Sequence, residues 1–124
     1  MRIAVVGSRN YKHLDAVEQF VWEQERTTVI VSGGAAGVDR AAVAEARRLR
    51  MPYEEYLPDW NRFGKRAGAV RNAEIVRACD EVVAFWDERS PGTKITIEMA
   101  RIAKKPVRIY GRDGLPLQAK EPIR

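Results

Sequence analysis

Short apolar runs alternate along the chain with longer stretches of helical periodicity. The apolar runs are rich in β-branched residues and end at glycine or polar residues, which is typical of buried strands. Apolar side chains three or four positions apart, as at Leu14, Val17 and Val21, predict helices instead. Strands are expected at 2–6, 28–31, 53–57, 81–86 and 107–110. Helices are expected at 14–25, 38–49, 65–78 and 93–103, with a loop at 58–63.

This strict alternation predicts an α/β fold with four right-handed helical crossovers. We expect a single Rossmann-like, doubly wound domain over residues 1–110, with a five-stranded parallel sheet in the order 3-2-1-4-5 and helices on both faces. Ligands of such sheets bind beyond the carboxyl ends of the strands at the switch point, here between strands one and four. Residues 111–124 show no core pattern and form a C-terminal tail, either disordered or reaching a neighbouring subunit.

Composition excludes several classes of protein. Hydrophobic residues make up 45% and charged residues 31% of the 124 residues, which is typical of a folded soluble domain. No apolar run approaches the roughly 18 residues of a membrane span, and no signal peptide is recognisable, so a cytoplasmic protein without membrane contact is expected. One cysteine, Cys79, excludes an internal disulfide, and the lone His13 makes a zinc site or a Ser-His-Asp relay improbable.

The charge of the chain is concentrated in its second half. The formal net charge is +5, and residues 63–124 hold 13 basic and 8 acidic side chains, which accounts for the whole excess. A basic surface attracts phosphate-bearing partners. Because the excess is modest and interleaved with acids, we rank nucleic acid as a partner behind a small nucleotide-type ligand.

Glycine and small polar residues follow three of the predicted strands. Glycine lets the backbone adopt positive φ and approach a ligand closely, and exposed amides at a helix start form an anion pocket. Strands one and four flank the switch point, so Ser8, Arg9, Gly92 and Thr93 are expected to converge on one crevice. The segments are Gly7-Ser8-Arg9-Asn10, Ser32-Gly33-Gly34-Ala35-Ala36-Gly37-Val38-Asp39 and Trp86-Asp87-Glu88-Arg89-Ser90-Pro91-Gly92-Thr93-Lys94.

These turns predict phosphate binding without matching either common nucleotide motif. Gly33 and Gly34 adjoin and follow strand two, unlike the dinucleotide fingerprint, and no Gly-Lys-Ser/Thr ends the run as a P-loop requires. Asp39 is a candidate helix cap or ribose ligand, and Asp87 a candidate for ribose, for a magnesium ion or for turn stabilisation. Trp60 either stacks on a base or covers the sheet edge.

The predicted ligand-binding set joins these turns to the helix after the third strand. It consists of Gly7, Ser8, Arg9, Ser32, Gly33, Gly34, Ala35, Gly37, Val38, Asp39, Trp60, Gly68, Arg71, Asn72, Trp86, Asp87, Ser90, Gly92, Thr93 and Lys94. No protein metal site and no cofactor is firmly implied, although Mg²⁺ is compatible with a phosphate ligand.

Four blocks of residues in this order resemble the YspA (cpYpsA-related) family of the SLOG superfamily. The superfamily is similar in fold to the DNA-processing protein DprA and to the LOG or lysine decarboxylase-like phosphoribohydrolases. The resemblance implies a Rossmann-like sheet that binds a nucleotide or a nucleotide-derived ligand such as an ADP-ribose species, often in a homodimer. The blocks are Gly7-Ser8-Arg9, Ser32-Gly33-Gly34-Ala35-x-Gly37-Val38-Asp39, Trp60-x-x-x-Gly64-x-x-Ala67-Gly68-x-x-Arg71-Asn72 and Ala84-Phe85-Trp86-Asp87-x-x-Ser90-x-Gly92-Thr93-Lys94.

Two alternatives to ligand binding follow from the same resemblance. LOG enzymes carry an arginine before strand four and a glutamate after a Gly-Thr turn; Arg71 matches the first, but Thr96 stands at the glutamate position and Glu98 lies two residues on. In a helix this offset turns Glu98 about 200° away. A phosphoribohydrolase acting on nucleoside 5′-monophosphates, with Arg71 and Glu98 catalytic, is therefore the first alternative. DprA-like binding of single-stranded DNA is the second.

Overall fold

A parallel sheet of five strands in the order β3-β2-β1-β4-β5 forms the centre of the structure. The computed structural model describes residues 1–117. The predicted doubly wound topology and strand order are confirmed, since every neighbouring pair in this sheet is parallel. The strands are β1 Arg2–Gly7, β2 Val29–Ser32, β3 Tyr53–Glu55, β4 Glu81–Phe85 and β5 Val107–Tyr110.

Five helices connect the strands, one more than the sequence pattern predicts. The additional helix, α3, falls in the segment expected to be a loop, where the Asp59 carboxylate accepts a hydrogen bond from the amide of Arg62 and caps a single turn. Among the described helices, none is long and apolar enough to cross a membrane. The helices are α1 Leu14–Trp22, α2 Val38–Arg48, α3 Trp60–Phe63, α4 Ala67–Ala78 and α5 Pro91–Ile102, with a 3₁₀ turn Gly64–Arg66 before α4.

The sheet is covered on both faces, as predicted. Successive strand residues point to opposite faces, so β1 sends Ile3 and Val5 into one core and Ala4 and Val6 into the other. The first core contains the buried sides of α1 and α2 and a stack of Phe85 on Tyr110 with ring centroids 4.5 Å apart. The second contains the buried sides of α4 and α5.

The central strands β1 and β4 end side by side and bring their following loops together. Gly7 pairs with Phe85 in the register, and the amide of Ser8 donates to the Phe85 carbonyl at 3.1 Å. The amide of Asp87 then donates to the Ser8 hydroxyl at 3.1 Å. The loops that the sequence singles out therefore start from one fixed point at the carboxyl edge of the sheet.

The beginning of the predicted tail packs back on the sheet. Tyr110 and Pro116 form an antiparallel bridge, and the amide of Leu117 donates to the Ile109 carbonyl at 2.9 Å. The hydroxyl of the buried Tyr11 donates to the Gly111 carbonyl at 2.5 Å, which joins this turn to the loop after β1. Residues 118–124 of the predicted tail lie outside the described residues.

Candidate ligand-binding cavity

A cavity of about 370 Å³ opens at the carboxyl end of the sheet, between the loops that follow β1 and β4. Its position is the switch point at which doubly wound sheets bind ligands. Most of its wall is polar, and it contains two arginines and one carboxylate. The wall consists of Val6, Gly7, Ser8, Arg9, Asn10, Ala35, Asp39, Arg71, Asn72, Ile75, Ser90, Gly92, Thr93 and Thr96.

Half of the predicted ligand residues line this cavity together, and four lining residues are absent from the prediction. The sequence could have identified Asn10 as a lining residue, because it directly follows Ser8 and Arg9. Ile75 and Thr96 lie one helical turn after Arg71 and Gly92, so helical spacing could have identified them. Val6 is a buried strand residue, and nothing in the sequence indicates that it lines the cavity. The predicted residues in the wall are Gly7, Ser8, Arg9, Ala35, Asp39, Arg71, Asn72, Ser90, Gly92 and Thr93.

Ten predicted ligand residues are absent from the wall, and three of these, Trp60, Gly68 and Lys94, lie on helices α3, α4 and α5. Trp60 is 57% exposed at the start of α3, and Lys94 is exposed on α5. Gly68 lies in the first turn of α4 with open space beside it. Trp60 does not contact the cavity because α3 turns this side chain to solvent.

Trp86 and Asp87 support the turn that leads into α5. The indole Nε1 of Trp86 donates to the Ser90 carbonyl at 3.0 Å. Asp87 accepts hydrogen bonds from the amides of Arg89 and Ser90 and from the Ser90 hydroxyl, at 2.8 to 2.9 Å. Partial burial works to raise the pKa of Asp87, but these hydrogen bonds outweigh it and the net shift is downward. Of the roles considered for Asp87, turn stabilisation is the one observed.

Two backbone amides of the glycine-rich turn after β2 already donate hydrogen bonds to side chains of the protein. The amide of Gly34 donates to the Ser32 hydroxyl at 3.3 Å, and the amide of Ala35 donates to Asp39 Oδ2 at 3.2 Å. Gly37 has φ +82°, and a Cβ there would overlap the backbone of Arg9. The turn therefore needs glycine to fit against the protein itself, which is a structural requirement. Val38, which follows it, belongs to the core.

The first amides of α5 itself have no side-chain partner. Pro91 occupies the first helical position, and no side chain caps the helix. The amides of Gly92 and Thr93 therefore point from the helix start without an intrahelical partner. A Cβ on Gly92 would meet nothing within 4 Å, and both Gly92 and Thr93 line the cavity. This helix start presents the features of an anion pocket.

Arg71 reaches across the cavity from α4 and is held by two hydrogen bonds. Its Nη1 donates to the Gly33 carbonyl at 2.5 Å and its Nε to Asn72 Oδ1 at 2.8 Å. Burial lowers the pKa of this half-buried guanidinium, against the attraction of Asp39. Among the described residues Nη2 has no partner, so Arg71 presents an oriented cationic donor to the cavity.

Asp39 is the carboxylate in the wall and is only 6% exposed. Its Oδ1 is fully buried and accepts no hydrogen bond from residues 1–117. Burial raises the pKa of Asp39 to about 6, although the hydrogen bond from Ala35 and the charge of Arg71 act in the opposite direction. Buried polar atoms are nearly always paired, so this unpaired acceptor, on a residue of the cavity wall, makes Asp39 a candidate contact for a donor group.

The pair proposed for catalysis is not brought together. Thr96 is buried in the wall, and its hydroxyl donates to the Gly92 carbonyl at 3.1 Å. Glu98 is exposed and does not line the cavity, whereas Arg71 does. Within residues 1–117 no three acidic, histidine or cysteine side chains are grouped so as to hold a metal ion.

Comparison with known proteins gives the family. A family model described as the YspA, cpYpsA-related SLOG family matches residues 1–63. The Gene 61 protein of Mycobacterium phage D29 is 35% identical, over 89% of this chain and 96% of the phage protein. The chain belongs to the YspA, cpYpsA-related SLOG family.

Solved structures similar to this SLOG domain include two DNA processing proteins A (DprA). DprA of Streptococcus pneumoniae superposes with a TM-score of 0.77 at 25% identity, covering 87% of this chain and 49% of DprA. The chain thus spans about half the length of that protein. A DprA structure from Helicobacter pylori superposes with a TM-score of 0.64 at 19% identity, covering 98% of this chain and 67% of that DprA, and shows the shared fold alone.

Proposed function

We propose that the domain binds a nucleotide, with its phosphate at the start of α5 and its sugar beside Asp39. The observation that carries the proposal is the grouping, in one cavity wall, of open helix-start amides, two arginines and a buried, unpaired carboxylate oxygen. A free phosphate needs the first two features only. A nucleotide supplies both an anion and hydroxyl donors, so it matches all three.

We assign the phosphate to α5 because Gly92 and Thr93 at its start line the cavity, whereas Gly37 and Val38 at the start of α2 do not. The amides of Gly92 and Thr93 offer two donors, and Arg71 adds a charge-assisted donor from the other side of the cavity. Arg9, exposed at the rim, adds further positive charge. At the start of α2, Asp39 holds the Ala35 amide and its charge would repel a phosphate.

The sugar is placed at Asp39 because Oδ1 needs a donor. A ribose hydroxyl donates one hydrogen bond, which would pair this buried atom and favour the charged form of the carboxylate. Asn72, whose Oδ1 is engaged by Arg71, retains its amide group for the ligand.

Calorimetric titration with AMP tests the proposal. We expect wild-type protein to bind AMP below millimolar concentration, and Arg71→Gln to weaken binding at least about tenfold, since it removes a charge-assisted hydrogen bond. Arg77→Gln, which removes an exposed charge from the same helix, is the matched control and should bind as the wild type does. Equal affinities of all three proteins would overturn the assignment of Arg71, and no binding would overturn the function.

Single-stranded DNA binding is the second candidate, and the likeness to DprA favours it. The H. pylori DprA structure is described as showing a single-stranded DNA binding mode, and the pneumococcal protein shares this fold at 25% identity. The basic excess in residues 63–124 would supply contacts to a DNA backbone. Titration of an oligothymidylate at several salt concentrations tests it, because DNA affinity should fall steeply with salt. A salt-independent or absent signal would exclude this candidate.

Hydrolysis of nucleoside 5′-monophosphates has less support than binding. The glutamate that would assist it, Glu98, lies outside the cavity that contains Arg71. Release of free adenine from AMP, lost in Glu98→Gln, would reverse this ranking.

A further inference from the structure

A second cavity, of about 380 Å³, lies beside the first. Asn10 belongs to the walls of both cavities, so the loop after β1 separates them. The wall combines parts of the loop after β1, the loop after β4 and the turn after β5. It consists of Asn10, Tyr11, Lys12, Asp87, Arg89 and Arg112.

The wall of the second cavity is positively charged. Within residues 1–117 the side chains of Lys12, Arg89 and Arg112 form no ion pair or hydrogen bond. The carboxylate of Asp87, the acid in this wall, is engaged by donors of its own turn. Three cations thus line a cavity that contains a single acid, whose oxygens are engaged by its own turn, and this excess of positive charge favours an anionic occupant.

Hydrogen bonds connect the three segments that carry these cations, which lie far apart in the sequence. Tyr11, next to Lys12, is 4% exposed and donates to the Gly111 carbonyl, next to Arg112. The amide of Arg112 also donates to the Glu88 carboxylate at 3.1 Å, next to Arg89. The backbone on all three sides of the cavity is therefore cross-linked, although the residues lie up to a hundred positions apart.

We propose that the second cavity binds a phosphate of a linked nucleotide unit, so that the preferred ligand carries two phosphates one nucleotide apart. This inference rests on the proposed function, since it takes the first phosphate to lie at the start of α5. The two cavities are separate and share only Asn10 in their walls. Two phosphates bonded directly to each other would crowd into one cavity, whereas a dinucleotide with a 5′-phosphate and an internal phosphodiester would reach both.

Calorimetry with three adenine probes tests this inference. The probes are AMP, ADP and the 5′-phosphorylated adenylyl dinucleotide pApA. We expect pApA to bind at least about tenfold more tightly than AMP or ADP, because its second phosphate gains charge-assisted contacts. The double variant Lys12→Gln/Arg112→Gln should remove this preference and leave AMP affinity unchanged.

A matched double variant controls for the loss of charge. Arg47→Gln/Lys104→Gln also removes one arginine and one lysine, both exposed and outside the two cavities, and should keep the preference for pApA. Thermal unfolding of each variant confirms that the fold is retained.

The outcomes separate the two proposals. Equal binding of AMP and pApA, or tighter binding of ADP than of pApA, would overturn the second subsite while the nucleotide function stands. A preference for pApA that survives Lys12→Gln/Arg112→Gln would also overturn it. No binding of any probe would overturn both the subsite and the proposed function.

Discussion

Asp39 is the residue at which stability and ligand binding make opposite demands. Its buried Oδ1 has no partner among residues 1–117, and burial raises the pKa of the carboxyl to about 6. A charged carboxylate in such a place destabilises the folded protein at neutral pH. A position that costs stability is expected where binding benefits from it.

We predict that Asp39→Asn removes a pH dependence of stability. Between pH 3.8 and about 6 the unfolded chain loses its Asp39 proton while the folded protein keeps it, so the wild-type free energy of unfolding falls as pH rises. The variant lacks this decline, and its stability relative to the wild type should rise by about 2–3 kcal/mol from pH 4 to pH 7. Urea unfolding at several pH values measures the difference.

A control variant makes this measurement specific. Asp15 is exposed on α1, so Asp15→Asn controls for the replacement of one aspartate by asparagine outside the cavity. If the wild type and Asp39→Asn give parallel curves of stability against pH, the raised pKa of Asp39 is wrong.

The sequence identified the chemistry of individual residues better than their orientation. Asp39 and Arg71 were predicted from their positions at a helix start and in a shared motif, and both line the cavity. Trp60 was predicted from its side-chain type, yet it is exposed on α3. Orientation depends on tertiary packing, which a residue's type and local spacing do not determine.

At the scale of elements, the two glycine-rich helix starts differ in function although their sequences look alike. Neither helix start has a side-chain cap, but the turn before α2 fits tightly against Arg9, whereas Gly92 has open space beside it. Gly92 and Thr93 at the start of α5 line the cavity, whereas Gly37 and Val38 at the start of α2 do not.

We predict that Gly92→Ala stabilises the protein and weakens AMP binding. Alanine is the better helix former by up to about 1 kcal/mol, and no atom of the protein opposes its Cβ. The same methyl group would stand in front of the amides that receive the phosphate. Chemical unfolding and calorimetry measure the two effects.

Gly68→Ala is the matched control for this substitution. Gly68 also lies in the first turn of a helix with open space beside it, but outside the cavity wall. It should raise stability similarly and leave binding unchanged. Unchanged AMP affinity in Gly92→Ala would mean that the phosphate does not lie at the start of α5.

The element pattern was predictable because strand and helix periodicities alternate without ambiguity in this chain. The doubly wound order followed from the crossover rules and is confirmed. Helix α3 was missed because four residues give no periodicity, although Asp59, three positions before Arg62, was a capping signal.

At the scale of the whole molecule, a hydrogen bond joins the loop after β1 to the turn after β5, a hundred residues further along the chain. The hydroxyl of Tyr11 donates to the Gly111 carbonyl, and both residues are buried. No sequence pattern indicates this contact, because residues 111–117 carry no core pattern and pack by backbone pairing with β5.

We predict that Tyr11→Phe lowers the free energy of unfolding by about 0.5–1.5 kcal/mol, since it removes a hydrogen bond between buried groups while the Gly111 carbonyl keeps its bond from the Gly114 amide. Tyr53→Phe, at an exposed tyrosine of β3, should have a much smaller effect. Urea unfolding compares the two variants. Equal losses would show that the link between residues 11 and 111 does not contribute to stability.

The hydrogen bond between Asp39 and the turn after β2 also affects how related sequences should be compared. Asp39 occupies the amide of Ala35 from within the chain, so its carboxylate acts as a resident substitute for an external anion. A homologue with a small neutral residue in place of Asp39 would leave the amide at position 35 without this partner, and the amide could then bind an external anion. Such a homologue would also lack the Asp39 carboxylate in the cavity wall. The identity of this one residue would then decide whether a member of the family receives anions on one side of its crevice or on both.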